Sequence, residues 1–133
     1  MGKVIYDSDY ALLTFFKGNK LLELNWKQRA PEQEYKDVFN HAIETGRTNN
    51  VDFFLSDIRN SGAVSIGNLQ WLKNNVVPKA VEYGVLKVAL IINDELFKKI
   101  YADSIRESIH KNKILIDFFS LDEEALNWFG VKK

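Results

Sequence analysis

Cysteine is missing from the 133 residues of this chain. That excludes disulfides, thiolate nucleophiles and Cys-based metal sites. Histidine occurs twice, as His41 and His110. The two lie on different predicted helices and in no metal-ligand spacing such as H-x-x-x-H. Each falls near a predicted helix C-terminus, where a cation is favourable, so surface or capping roles suit both. Neither sign of charge is in surplus, since 18 Lys and Arg balance 18 Asp and Glu. Phosphate neutralisation needs clustered Lys and Arg, so no nucleic-acid partner is expected. The pieces Lys98-Lys99 and Lys111-Asn112-Lys113 read as solvated helix surface. No run approaches the ~20 apolar residues of a membrane span. The opening Met1-Gly2-Lys3-Val4-Ile5-Tyr6-Asp7 lacks the apolar core and cleavage site of a signal peptide. Tyr6 also stands where N-myristoylation wants Ser or Thr. The expected compartment is the cytoplasm. A Gly-rich phosphate loop and a G-x-S-x-G elbow are both lacking, so no cofactor, no metal and no nucleophilic catalysis are expected.

What remains is the composition of an ordinary globular domain, 46% hydrophobic and 27% charged. The length suits one domain over residues 1–133. Tyr10 to Lys17 and Lys20 to Trp26 read as a β-hairpin, with Gly18-Asn19 as its two-residue turn. In the second strand Leu22, Leu24 and Trp26 share one face. Leu21, Glu23, Asn25 and Lys27 share the other, which is expected to be wet or only partly covered. Pro31 opens a helix that Gly46 can end, with Tyr35, Val38, Phe39, Ala42 and Ile43 as its apolar stripe. Val51 to Leu55 follows as a strand. Ser65 then caps a helix with Leu69, Leu72, Val76 and Ala80 inward. Pro78 predicts a kink or break around Asn74 to Val77, and Gly84 a stop. Leu86 to Ile92 is apolar without alternation, as a central strand covered on both faces would be. Asp94 can cap a helix reaching Ile109, and Ile114 to Phe119 is the last strand. Ser120-Leu121-Asp122-Glu123 matches a capping box for a final helix that Gly130 stops. Strand–helix alternation of this kind gives an α/β fold. Its sheet is mixed and mostly parallel, with about five to six strands, an N-terminal antiparallel hairpin and about four helices.

Several segments together resemble the bacterial STAS-like, SpoIIAA-like family. They are the hairpin ending in Trp26, Phe54-Leu55-Ser56-Asp57-Ile58-Arg59, Ser65 at a helix start with Gln70-Trp71 inside it, and Pro78-Lys79-Ala80-Val81-Glu82-Tyr83-Gly84. The Val88-Ala89-Leu90-Ile91 strand and Ser120 through Trp128 complete the pattern. The resemblance implies a β-α superhelix of the kind shared with CRAL-TRIO lipid-binding domains, and binding or regulation rather than catalysis. In anti-sigma-factor antagonists of that wider fold, a phosphorylatable Ser follows this strand in an Asp-Ser-Ser-Gly context. Here Asp57 ends the strand, Ser65 caps the helix, and Asn60-Ser61-Gly62 echoes the motif from the loop.

Functional candidates concentrate after the Phe54-Leu55 strand, because open α/β sheets gather ligands at the carboxyl ends of their strands. Asp57 and Arg59 can orient a polar ligand or a partner's charge; equally, they can pair with each other or cap the loop backbone. Ser61 and Ser65 can accept phosphate, against the plainer role of Ser65 as an N-cap. Trp71 stands between core edge and exposed contact, while Trp26 and Trp128 fit core packing. The leading expectation is a non-catalytic interaction or regulatory domain that binds an unidentified protein or small ligand and forms a homodimer. The alternative is a carrier of a small apolar or amphipathic ligand, by analogy with CRAL-TRIO domains. An enzyme using Asp57 as general acid or base is the weakest of the readings. A pocket of ligand size favours the carrier, and a filled core with a flat apolar patch the interaction domain.

Overall fold

Six short runs of apolar and β-branched residues pair into one sheet in strict sequence order, β1-β2-β3-β4-β5-β6. The strands are β1 (Lys3–Asp7), β2 (Ala11–Phe16), β3 (Leu21–Trp26), β4 (Phe53–Asp57), β5 (Lys87–Ile91) and β6 (Leu115–Phe119). The first two pairings are antiparallel and the last three parallel. This computed structural model describes residues 2–62, 64–93, 103, 106–107 and 114–132. The helix expected from Asp94 to Ile109, the Lys98-Lys99 and Lys111 to Lys113 pieces and His110 lie largely or wholly outside them.

Parallel neighbours laid down in order need crossovers of one hand, and right-handed crossovers then put their helices on one face. Helix α1 (Glu32–Thr48) and the helical run α2 (Ile66–Trp71), a π-turn (Leu72–Val76) and α3 (Val77–Glu82) pack there. Tyr35, Val38, Phe39, Leu72 and Val77 meet Leu22, Leu24, Trp26, Val88 and Leu90 in the larger core. On the other face α4 (Asp122–Phe129) buries Ala125 and Phe129 against Leu21, Leu55, Ala89 and Ile91.

Several local expectations shift. Strand β1 went unread, though Val4-Ile5-Tyr6 carries its β-forming residues. Between β2 and β3, Lys17–Asn19 form a 3-10 turn and Lys20, not Gly18, takes the left-handed conformation at φ 53°. The connection is four residues long, with Phe16 opposite Leu21, so Gly18 is not where positive φ falls. The face of β3 expected to be wet or only partly covered is dry at Leu21 and Glu23, half-buried at Asn25, and exposed at Lys27 just past the strand. Leu21 lies in the α4 core, and Glu23 sits in register between Thr14 and Leu55 and accepts a hydrogen bond from Asn25 Nδ2 at 3.0 Å. Helix α1 runs through Gly46 to Thr48, with Pro31 as its N-cap. Gly46 therefore does not stop the helix, and a Cβ there would make an ordinary contact with the Tyr83 ring at 3.5 Å.

Pro78 acts as expected. Its missing N–H cannot serve the α-helical ladder, and the ladder slips to i→i−5 at Leu72–Val76, where Val77 N–H donates to Leu72 O. Asn75 Nδ2 supports the slipped turn by donating to Trp71 O at 3.0 Å. Gly84 and Gly130 end their helices at φ 83° and 81°. The final helix starts one residue later than its capping box predicted: Leu121 is the N-cap, and Glu124 rather than Glu123 accepts the Ser120 and Leu121 N–H groups. Strand β5 is buried from Val88 to Ile91, but Leu86 is 54% exposed at its amino end.

Candidate functional site

Strand β4 delivers Asp57 to the carboxyl edge of the sheet, and the following loop folds back on it. Asp57 is buried and accepts the Arg59 N–H at 3.1 Å, Arg59 Nε at 3.0 Å and Arg59 Nη2 at 2.6 Å. This is a bidentate carboxylate–guanidinium pair with a backbone cap added. The hydrogen bond to Asp57 is the main cause that holds the Arg59 guanidinium above its ordinary basicity, with the coulombic pull of Asp57 and Asp122 assisting. Asp122 Oδ1, at the start of α4, lies 3.7 Å from Arg59 Nη2. Asp57 and Arg59 are thus joined to each other, and they tie the β4 loop to the α4 start.

The serines point the other way. Ser61 is buried, and its hydroxyl hydrogen faces Ile58 O at 2.9 Å, with Gly62 O at 3.2 Å. Ser65 is exposed and its Oγ accepts the Asn68 N–H at 3.0 Å, an N-cap as the sequence predicts. Trp71 is half-buried, at the edge of the Tyr35–Phe39 aromatic group, with Lys36 Nζ 5.9 Å from its ring centroid. Ser61 and Ser65 share one cavity; Asp57, Arg59 and Trp71 do not line it. Arg59 instead borders an open groove with Asn93, Phe119, Ser120 and Glu124.

That cavity, about 310 Å³, lies between the β3–α1 connection and the loop after β4. Trp26 and Tyr35 stack in its wall at 5.5 Å and 11°. Ile58 and Val64 add apolar surface, and Arg29, Pro31 and Glu32 bring the start of α1. Gly62 has φ 65°, a left-handed conformation that glycine adopts without strain, and the loop turns there beside the Arg29 stem. Asn68 also lines the cavity; it is 6% exposed, and its Oδ1, closed off from solvent, accepts no hydrogen bond from the described residues. Arg29 and Asn68 escaped the sequence reading. The one local signal was Asn68 three residues after a Ser N-cap, where a capping box would carry Glu or Gln reaching back.

Elsewhere, His41 is exposed on α1; its Nδ1 lies 2.8 Å from Asp37 O and its ring 4.4 Å from that of Tyr6. Trp26 is core, and Trp128 is half-buried beneath Lys87 Nζ at 5.0 Å. Among the described residues no cluster of His, Asp and Glu is placed to hold a metal, and no helix is long and apolar enough to cross a membrane.

The chain is similar in structure to an uncharacterized protein of the DUF3478 family with a SpoIIAA-like fold from Shewanella loihica PV-4. The match has a TM-score of 0.62 and 15% identity, over 97% of this chain and 92% of that one. The fold of this chain is therefore SpoIIAA-like. No family profile matches the sequence, and no curated protein matches it significantly.

Proposed function

We propose that this chain is a non-catalytic, cytoplasmic binding domain of STAS-like type that engages its partner with the carboxyl end of the sheet. The observation that carries the reading is how the polar groups there are used. Asp57 and Arg59 satisfy each other, the Ser61 hydroxyl donates to backbone, and Ser65 caps a helix. Groups used this way shape a surface rather than move protons. Beside them Ile66 stands 82% exposed, an apolar contact on a polar rim. A photo-crosslinking residue at Ile66, introduced in the native host, should give a discrete adduct. The same residue at Leu86, at the amino end of the sheet, should not. Adducts from Leu86 alone, or from neither, would refute the reading.

A carrier reading has support of its own, though not where the CRAL-TRIO analogy puts the ligand. The apolar spaces between sheet and helices are about 80 and 70 Å³, too small for a drug-sized molecule. The space of about 310 Å³ at the strand ends reaches the lower limit of ligand sites. We assign the homodimer, expected through Trp71 or the hairpin, to the hairpin's side of the opposite face. There α4 packs on β4 to β6, and Val4 of β1 is 56% exposed. Small-angle scattering over a concentration series tests a homodimer through that face; a monomer mass throughout refutes it.

A further inference from the structure

Phe54 lies near the middle of the sheet, on β4, with β3 and β5 on either side and the helical layer above it. Its neighbours in register, Leu22 and Val88, are buried. Phe54 itself packs on the same core yet is only half-buried. A large apolar side chain that stays accessible at such a position marks a gap in the layer that covers it. Two spaces adjoin its ring. One, about 80 Å³, lies between α1 and α3; the other, about 70 Å³, reaches toward Leu72 and Leu90. Phe39, Phe54, Val76, Ala80 and Val88 wall both, so they are two halves of one crevice.

The crevice has a local cause. Ala42 and Gly46 of α1 and Ala80 of α3 border it with little volume. The π-turn ends at Val76, and the extra residue in that turn widens the helix just where it should close on α1. Ile43, Val76, Ala80 and Tyr83 are half-buried, so the first space is reached from outside between the two helices. Polar groups are scarce. No carboxylate among the described residues lines either half. Lys79 Nζ is held at the surface, 3.3 Å from Glu82 Oε2 and 5.8 Å from the Tyr83 ring centroid. Water in such a space would forgo most of its hydrogen bonds. A dry cavity of about 150 Å³ lined by Leu, Ile and Phe takes up benzene or xenon instead, and the two halves together are of that size.

We propose that this crevice binds an uncharged apolar group of about six carbon atoms, an aromatic ring or a short alkyl chain. The group lies over the Phe54 ring, between Phe39 and Ala80. Any polar part of the same molecule stays at the mouth, beside Lys79 and Tyr83. The site lies away from Ile66, so the cross-link there and this site can each fail alone.

The test uses the full chain, labelled at its Ala and Val methyl groups, and NMR titration with benzene and with pyridine. Pyridine has the same ring shape but carries a lone pair that this lining does not satisfy. We expect benzene to shift the Val76, Ala80 and Val88 methyl signals, with a dissociation constant of about 1 mM or below. Pyridine should bind about tenfold more weakly or worse. Ala80→Leu puts a larger side chain into the wall that both halves share. It should weaken benzene by about tenfold or more and raise the unfolding midpoint of the ligand-free chain, since it fills a void. If the Leu variant does not fold, Val76→Met takes its place with the same expectation for benzene. No saturable shift up to about 20 mM benzene, equal affinity for pyridine, or full binding by a folded filling variant would each overturn the proposal. Shifts confined to Trp26 and Val64 would place benzene in the larger space at the strand ends and overturn it too.

Discussion

Replacing Asp57 with Ala removes three accepted hydrogen bonds, to the Arg59 N–H, Nε and Nη2. Hydrogen bonds to charged groups contribute about 1.5–3 kcal/mol net, and orphaning one member of a fully buried pair costs about 3–5 kcal/mol. The Asp57 side chain is 12% exposed and that of Arg59 34%, so water recovers part of the guanidinium once its partner is gone. Asp122, already 3.7 Å away, recovers a little more. The working expectation for Asp57→Ala is therefore a loss of about 1.5–3 kcal/mol, below the buried-pair range. Asp57→Asn keeps an acceptor for the Arg59 N–H but places an amide against a guanidinium, so it should fall between the wild type and the Ala variant. Urea unfolding by linear extrapolation measures each variant, and a cycle with Arg59→Ala isolates the pair at about 1 kcal/mol or more. Arg59 adds no base-side titration in the usual range: a raised guanidinium gives up its contribution only as pH climbs beyond its ordinary value. A loss below about 0.5 kcal/mol for Asp57→Ala, or strict additivity in the cycle, would refute the structural role assigned to the pair.

Leu90, 5% exposed, lines the space of about 70 Å³ with Phe54 and Leu72, so Leu90→Ala enlarges an existing void and should cost about 2–5 kcal/mol in the same assay; a loss under about 1 kcal/mol would contradict a buried β5. Ser65→Ala should cost about 1 kcal/mol through loss of its cap, while Ser65→Asp keeps an acceptor and should hold stability; an Asp variant as weak as the Ala one would argue against capping. Burial first, then its hydrogen bond to Glu34, raises the Tyr6 hydroxyl above its ordinary value of 10.0. Its contribution is therefore complete below that value and declines as pH climbs through the folded one, so unfolding midpoints should drop more steeply above about pH 10 in the wild type than in Tyr6→Phe. Parallel slopes for the two would dismiss the Tyr6–Glu34 bond as a source of stability.

The layered α/β plan was legible because each helix carries an apolar stripe and β5 is apolar from Val88 to Ile91. Pro78 even located its own defect, since a missing N–H must break the ladder within one turn whatever the surroundings. The misreadings share a cause. Glu23 looked solvated because its type is polar, but β3 lies inside the sheet, and its second face is closed at Leu21 and Glu23 by contacts far away in sequence. Gly18 and Gly46 looked like punctuation because glycine often is; the connection instead forms a 3-10 turn with positive φ at Lys20, and α1 runs on past Gly46 to Thr48. Of the named site residues, Ser65 was readable from its position before a helix, and the pairing of Asp57 with Arg59 from their spacing. Arg29 and Asn68 were not readable. A cavity arises from two connections approaching each other, and neither connection announces the other.

The strand order explains why the carboxyl edge has two unlike sides. Because β3, β4 and β5 are parallel and consecutive, the helices after β3 and β4 both begin over the same face. Their starts converge there, and the loop from Ile58 to Ser65 closes the space between them with Ser61 and Ser65. After β6, α4 folds onto the opposite face, where its first residue Asp122 approaches Arg59. One loop therefore serves two clefts. Its first half is fixed by an ion pair to the α4 side, and its second half, turning at Gly62 under Arg29, walls the cavity on the α1 side. A molecule in the cavity would meet this second half, while a partner seated on Arg59 and α4 would meet the first. The two events would be coupled through the few residues between Arg59 and Ser61, whose buried hydroxyl donates to backbone. Binding in the cavity should then shift the Arg59 side-chain signals even though Arg59 does not line it.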